Sequence, residues 1–567
     1  MAADPYVELH AHSAFSFLDG ASTPAELALA AEEHGYAALA LTDHDGIWGS
    51  REFAESCEDL ALRAITGAEL TVAVATERRA HLTLLVESTT GYRNLCRLLT
   101  AAHAHTRDNT ARKAEQPWAT LEQLEEHAEG LLCLSGCARD GALAGAWERD
   151  DTAAGERLGR RLLAAFGRGH FRVELQRPYW RHDRARNRWL ELLAGRLGVP
   201  CVATGNVHSH NRRRTRLQDA FVAIGLGQTL EESEPRRRGN RSSALVSPAE
   251  MATRFAEHPQ AVAETVRLAE RLQFDLTTEL GYRHPRQGDR GADDELAGLC
   301  GHRLAEQYAG SPNRAKAEGR LTQELRTIRK RNLSGFFLIH HELLELARGV
   351  AVEVRGRGSA RAVLPPGRGR GSSVSSIVCY LTGLSHIDPV AANLFAGRFL
   401  NDEGQTVPDI DLDFPRDIRE VLIPRVHEIY GADRSALVAA FPTYRPRGAV
   451  RDLGKVLGLP PQEIEKVAKT VGFHESSGEI KRDVVAAIGA ERAAAPRWKA
   501  LLWLCEDAMG LPRNASQHSG GMVISTEPLI DVCPIVPAAM EGRQIVQWDK
   551  DSCADARLLK IDLLGLG

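Results

Sequence analysis

The ten cysteines of this sequence include no C-x-x-C pair. Scattered thiols exclude a disulfide framework and point to a reducing compartment, so a cytoplasmic location is expected. No run of eighteen apolar residues occurs, which excludes a candidate membrane-spanning helix. The opening Met1-Ala-Ala-Asp-Pro5 lacks the basic region and apolar core of a secretory leader. Nor is there an excess of positive charge, since the 567 residues carry a net charge of −4. A nucleic-acid partner must then be met by local basic clusters rather than by the field of the whole chain. Such clusters lie at 236–238, 355–370 and 445–451; an isolated run of this kind is ordinarily a solvated face. What is present, 43% hydrophobic and 26% charged residues, fits a globular protein, and the length exceeds one ordinary core.

Three stretches in the second half carry chemistry. Pro408 to Phe414, P-D-I-D-L-D-F, alternates apolar residues with aspartates. A strand puts Asp409, Asp411 and Asp413 on one face and Ile410, Leu412 and Phe414 on the other. Crowded carboxylates repel unless a cation neutralises them, and a hard divalent ion such as Mg²⁺ prefers carboxylate oxygen. The bland alternative is a solvated edge strand. Gly367 to Ser376, G-R-G-R-G-S-S-V-S-S, precedes an apolar helical run. Its glycines let backbone approach a phosphate, which amides at the helix N-terminus and the hydroxyls would hold, with Arg368 and Arg370 at hand. Leu558 to Leu564, L-L-K-I-D-L-L, sets Asp562 alone in an apolar run. Its charge needs a partner, either Lys560 or the same metal pair. A G-S turn, a D-x-D strand and a distant third Asp together suggest two-metal phosphoryl or nucleotidyl transfer.

The first 280 residues read as repeated strand–helix units, with strands at Ala37–Thr42, His81–Val86, Leu131–Ser135 and Val199–Thr204. A helix over Thr23–His34 has Thr23 as its N-cap and Pro24 at its first position. The alternation predicts a parallel sheet, open or closed. Ligand-type residues sit beside these strands: His10, His12, Asp19, Asp43, His44, Glu69, His81, Cys137 and His208. An H-x-H pair on one strand puts both imidazoles on one face, which suits a borderline metal. A lone histidine is usually a satisfied core residue; the series as a whole is a stronger signal. Val350–Val354 reads as a short strand leading to the glycine-rich turn, and Arg236–Ser243 as an exposed loop. The basic stretch 355–367 reads either as a DNA contact or as a mobile loop.

G-R-G-S-S-V-S-S, P-D-I-D-L-D-F and K-I-D-L-L-G-L, in that order, resemble the palm of bacterial C-family DNA polymerases, the alpha subunits of polymerase III. T-Y-R-P-R at 443–447, H-S-G-G-M-V-I at 518–524 and Q-W-D-K-D at 547–551 look like the error-prone, damage-tolerance branch of ImuC type. The N-terminal histidine series resembles the PHP domain, a phosphoesterase-type barrel fused to these polymerases. The resemblance implies an α/β multidomain chain. A PHP-type β/α barrel over 1–284 would precede a polymerase-beta-like nucleotidyltransferase palm over 285–440 and 514–567. A helical thumb would be inserted at 441–513, with fingers and C-terminal domains absent from this sequence.

The implied activity is error-prone DNA-directed DNA polymerisation in damage tolerance and induced mutagenesis. Asp409, Asp411 and Asp562 would hold two Mg²⁺, with Asp413 in support beside Arg416. Gly371, Ser372, Arg398 and Lys560 would hold the nucleotide, and Arg445, Arg447 and Arg451 the DNA. Partners implied are primer-template DNA, dNTPs, a sliding clamp and other mutagenesis-complex proteins. In the PHP domain His10, His12, Asp19, His44, Glu69, His81, Cys137 and His208 match ligand positions for Zn²⁺ or Mn²⁺. The departure is Asn206, where the family has Asp-x-His. The amide removes one negative charge and leaves a weaker, neutral ligand. The expectation is therefore a reduced metal site that serves folding, or a metal-free polar cluster, rather than proofreading. The alternatives are a phosphoesterase or exonuclease working through the PHP cluster, and a non-catalytic scaffold for DNA or partner proteins.

Overall fold

A computed structural model describes residues 5–107, 115–282, 286, 289, 291–358, 368–395, 397, 399–400, 410–472 and 477–566, with the backbone alone at 368–370, 411, 477–478 and 564–566. The chain forms two compact units, Met1–Leu280 with Phe441–Ser516, and Gly281–Ala440 with Gln517–Gly567. Among the described residues no helix is long and apolar enough to cross a membrane.

The first unit holds seven strands: β1 (Ala38–Leu41), β2 (Arg63–Ala75), β3 (Arg78–Val86), β4 (Ala119–Thr120), β5 (Leu131–Leu134), β6 (Phe171–Gln176) and β7 (Cys201–Thr204). Their order is β1-β2-β3-β5-β6-β7, with β4 on β2. The sheet is mixed, which corrects the parallel reading: β3 runs antiparallel to both β2 and β5. The cause is local, because β2 turns straight into β3 and a hairpin joins antiparallel strands. Ahead of β1, Glu8 bridges Leu39 in β1 and Ala11 bridges Val207 just beyond β7. The backbone carrying His10 and His12 is thereby held on both sides. The helix Pro24–Glu33 opens on a capping box, Thr23 accepting from the Glu26 amide and Glu26 accepting from the Thr23 amide.

A second core in this unit is helical. The helices Pro446–Val456, Pro461–Thr470 and Pro496–Ala508 bury Val450, Leu453, Val467, Trp498 and Leu501 in one apolar cluster with Leu217 and Phe221 of the helix Thr215–Leu226. Phe221 stacks on Tyr444 at 5.4 Å between ring centroids. The helices of 441–516 thus share a core with the N-terminal fold.

The second unit holds β8 (Arg368–Arg370), β9 (Asp411–Pro415), β10 (Ser435–Ala440), β11 (Ser516–Ile524), β12 (Ile535–Pro537), β13 (Gln544–Val546) and β14 (Lys560–Leu566). Their order is β12-β13-β10-β11-β14-β9-β8. Ile410, Leu412 and Phe414 are fully buried and Asp413 is half-buried, the period-two pattern of a strand with one packed face. Val350–Val354 is not a strand. It forms the last turns of the helix Ser334–Arg355, whose buried Leu343, Leu344, Ala347, Val350 and Ala351 keep one helical face. The stretch V-A-V-E-V was too short a window to separate the two periods. Residues 359–367 lie outside the described ones.

Phe221→Ala removes the ring shared by the two sequence-distant parts of the helical core. It should cost about 3–5 kcal/mol in urea-induced unfolding, the range for a buried Phe.

Candidate functional site

The first candidate site lies where β14 runs parallel to β9, in a register that pairs Asp562 with Asp411. On the other edge of β9, β8 pairs Arg370 with Asp411 and Arg368 with Asp413. Across β14, β11 pairs Gly521 with Asp562. Asp562 is 2% exposed, and its Oδ2 accepts a hydrogen bond from Lys560 Nζ at 2.7 Å, with Lys550 Nζ at 3.8 Å. A carboxylate this buried requires nearby positive charge. Gly521 keeps the approach open, since a Cβ there would lie 2.9 Å from His518 Nδ1 and 3.3 Å from Asp562 Oδ1. His518 Nδ1 accepts from the Gly521 amide at 2.7 Å, and burial lowers the pKa of the ring against the pull of Asp562. Asp409 and Arg398 lie outside the described residues, and for Asp411 the backbone alone is described. Lys550 and His518 had no individual role in the sequence reading.

The glycine-rich turn departs from expectation. Gly371 has φ +73° with open space where a Cβ would stand, so conformation rather than crowding calls for glycine. Ser372 is half-buried and its carbonyl accepts from Ser375 Oγ at 2.7 Å. The N-terminus of the following helix, Ile377–Leu381, is already filled by an internal anion. Glu324 is 4% exposed and accepts from the Ile377 amide at 3.1 Å, the Val378 amide at 3.2 Å and Ser376 Oγ at 2.7 Å. Those amides are therefore not the phosphate seat that the sequence suggested, and Gly371 and Ser372 are left upstream of it. Glu324 sits in the distant helix Arg314–Lys330, where it reads as one charge among many on an amphipathic face.

Among the basic residues, Arg445 and Arg447 are exposed. Arg447 Nε donates to the Val471 carbonyl at 3.0 Å, and Arg451 makes a bidentate pair with Glu465, 3.0 Å on each oxygen.

The second candidate site gathers the histidine series around Glu69 in β2. Glu69 Oε2 lies 2.7 Å from His10 Nε2, 3.0 Å from His12 Nε2 and 3.9 Å from His44 Nδ1, and Oε1 lies 2.5 Å from His81 Nδ1. Cys137 Sγ stands 3.8 Å from His81 Nδ1. Asp19 Oδ2 lies 3.2 Å from His44 Nε2 and 3.1 Å from His208 Nε2. His10 turns its other nitrogen to Glu174 Oε1 at 2.6 Å, an orienting carboxylate the sequence did not flag. Burial raises Glu69, but His81, His44 and His10 outweigh it and hold the carboxyl well below its usual range. Burial lowers His10, but Glu174 and Glu69 outweigh it and hold the ring well above its ordinary value. Asp43 belongs to the scaffold: its carboxylate accepts from the Ser13 amide, Ser13 Oγ and Ser16 Oγ, each at 2.7 Å. Asn206 has φ +50°, its amide stands 3.5 Å from Gln176 Oε1, and its buried Oδ1 has no hydrogen-bond partner.

Tested against a metal, the cluster divides. On the Glu69 side, His12 Nε2 and Glu69 Oε1 are buried without an aligned hydrogen bond, and His10, His12 and Glu69 offer ligand atoms within 4.8 Å of one another. That donor set suits a borderline divalent ion. On the Asp19 side, Arg238 enters instead, with Nη2 at 3.1 Å from Asp19 Oδ2 and in contact with His208 Nε2. Arg236–Ser243 is thus not simply an exposed loop. Arg236 is exposed, but Arg237 and Arg238 turn inward.

Comparison with known proteins gives two family matches. Residues 8–178 match the PHP domain, and residues 294–565 match the bacterial DNA polymerase III alpha NTPase domain. An error-prone DNA polymerase of Mycolicibacterium paratuberculosis is 37% identical over 99% of this chain and 50% of its own length. One of Mycobacterium tuberculosis is 36% identical over 99% of this chain and 49% of its own. One of Anaeromyxobacter sp. is 32% identical over 99% and 54%. The chain spans about half the length of the curated relatives it matches.

Two outcomes are expected. Glu324→Ala strands two buried amides and a hydroxyl, and should lower unfolding free energy by about 3 kcal/mol or more in urea titration. Glu8, fully buried against Tyr6 Oη (2.7 Å), is raised by burial from 4.5 to about 7 despite its hydrogen bonds. Because the folded value lies above the unfolded one, this contribution is complete below pH 4.5 and is lost as pH rises to about 7. Unfolding free energies at pH 5 and pH 8 should show a fall, of order 3 kcal/mol over the full window, that Glu8→Gln removes.

Proposed function

We propose that this chain, which belongs to the PHP-containing bacterial DNA polymerase III alpha family, carries out error-prone, template-directed addition of dNTPs to a primer 3′ end. The reading is carried by the register that sets Asp562 beside Asp411 on adjacent strands. It brings together the third aspartate and the D-x-D strand, which are far apart in sequence. In this reading the second unit is a polymerase-beta-like palm, the helices of 441–513 are the thumb, and the strands of the first unit form the PHP-type barrel.

Asp409, Asp411 and Asp562 are the residues that would hold two Mg²⁺. When bound, such ions supply a lowered pKa for the primer hydroxyl and neutralise charge on the triphosphate. The remaining roles fall to the chain's own groups. Lys560 and Lys550 supply positive charge beside Asp562 in a buried strand. Gly371 and Ser372 offer an amide and a hydroxyl to the phosphates, and Arg398 a planar guanidinium. Asp413 braces the strand, with Arg416 beside it. Arg445 and Arg447 meet the DNA backbone without reading sequence. Arg451 joins them by exchanging Glu465 for a phosphate. Primer-template DNA and dNTPs are the substrates, a sliding clamp and further mutagenesis proteins the partners, and the cytoplasm the location, with damage tolerance as the setting. Hydrolysis at the histidine cluster is the weaker reading, because Asn206 and Arg238 both reduce its negative charge.

Primer extension with Mg²⁺ tests this, using the chain beside a version extended to the full length of its relatives. Asp411→Asn and Asp562→Asn should each lower incorporation by about 10³-fold or more while melting stays cooperative. Extension that persists in either variant overturns the assignment.

A further inference from the structure

We propose that Arg238 is a built-in cation of the histidine cluster, filling the Asp19–His208 corner so that this corner takes no metal ion and metal capacity is confined to the Glu69 side. Arg238 Nη2 lies 3.1 Å from Asp19 Oδ2 and 3.3 Å from Oδ1, and it touches His208 Nε2. Gln218 Nε2 donates to Asp19 Oδ1 at 2.7 Å, while His44 and His208 take Oδ2 at 3.2 and 3.1 Å. A carboxylate offers about four lone-pair directions. Side chains of this protein already fill them, and a guanidinium keeps its charge at any working pH.

The arginine is aimed by its loop. Trp180 Nε1 donates to the Arg238 carbonyl at 3.0 Å, and Arg139 donates to the carbonyls of Arg236 at 2.6 Å and Arg237 at 3.3 Å. Arg237 pairs with Asp219 at 3.1 Å and donates to the Leu230 carbonyl at 3.1 Å. Asn240 ties the far side to the Pro178 carbonyl at 2.6 Å. These bonds fix the backbone on both sides of residue 238 and direct its side chain into the cluster. On the Glu69 side, imidazoles surround the carboxylate with a thiol beside His81, and two buried polar atoms lack an aligned partner. A metal has an opening there that it lacks at Asp19.

Zinc content measured by inductively coupled plasma mass spectrometry tests the proposal. The intact chain is stripped with EDTA, reloaded with excess Zn²⁺ and desalted. Arg238→Ala should retain one more zinc per chain than the wild type, and Asp19→Asn should retain the same number as the wild type. Equal zinc in Arg238→Ala and wild type, or one zinc fewer in Asp19→Asn, overturns it. Should Arg238→Ala fail to fold, Asp19→Asn decides alone: an unchanged count supports the resident arginine, and a lost zinc refutes it.

Discussion

The constraint on which this molecule turns is the burial of carboxylates. An ionised carboxyl removed from water needs a positive partner or several donors, or it unfolds its surroundings or takes up a proton. Each important acid here has a different solution. Asp562 has two lysines, Glu69 has imidazoles, Asp19 has a guanidinium beside two imidazoles, and Glu324 has backbone amides with Arg320. Glu8 has mainly a phenol and amides, and burial pushes it toward the neutral form. The local fold around each site follows from these pairings: β14 must lie beside β9, the 236–243 loop must reach inward, and the helix Arg314–Lys330 must bring Glu324 to the glycine-rich turn.

The helices of 441–516 obey a different constraint. Their apolar faces are too large to leave in water, and the chain solves this by packing them with Leu217 and Phe221 into one cluster. A helical segment that shares its core with the N-terminal fold is not a freely hinged module. Strain at one face of that core is felt by the other, because interiors packed at this density have no slack to absorb it.

What could be read in advance was what depends on neighbours in sequence. The 411–415 strand was legible because Ile410, Leu412 and Phe414 alternate with charges, and the capping box at Thr23 because both partners lie within one turn. The histidine series was legible as a set because its members sit beside apolar strands. The rest depends on partners met only in the folded state. Glu324, Glu174, Gln218 and Arg238 carry no local signature, since a charge destined for burial looks the same in sequence as one left in water. The parallel-sheet reading failed at β3, where a short turn overrides the alternation of strands and helices. The strand at 350–354 failed because five residues cannot separate a period of two from one of 3.6.

Asn206 and Arg238 act in the same direction on the charge of the cluster. A cluster built to hold cations must keep excess negative charge when they leave, and that excess is destabilising in a buried site. Exchanging a carboxylate for an amide at 206 lowers the charge to be matched, and supplying a guanidinium at 238 matches part of what remains. Either feature alone leaves an imbalance: the amide without the arginine leaves Asp19 to two imidazoles, and the arginine beside a full ligand set repels the ion that set would hold. An amide at 206 and a guanidinium at 238 together leave less negative charge for a metal to neutralise in the histidine-lined interior that the bridges at Glu8 and Ala11 frame.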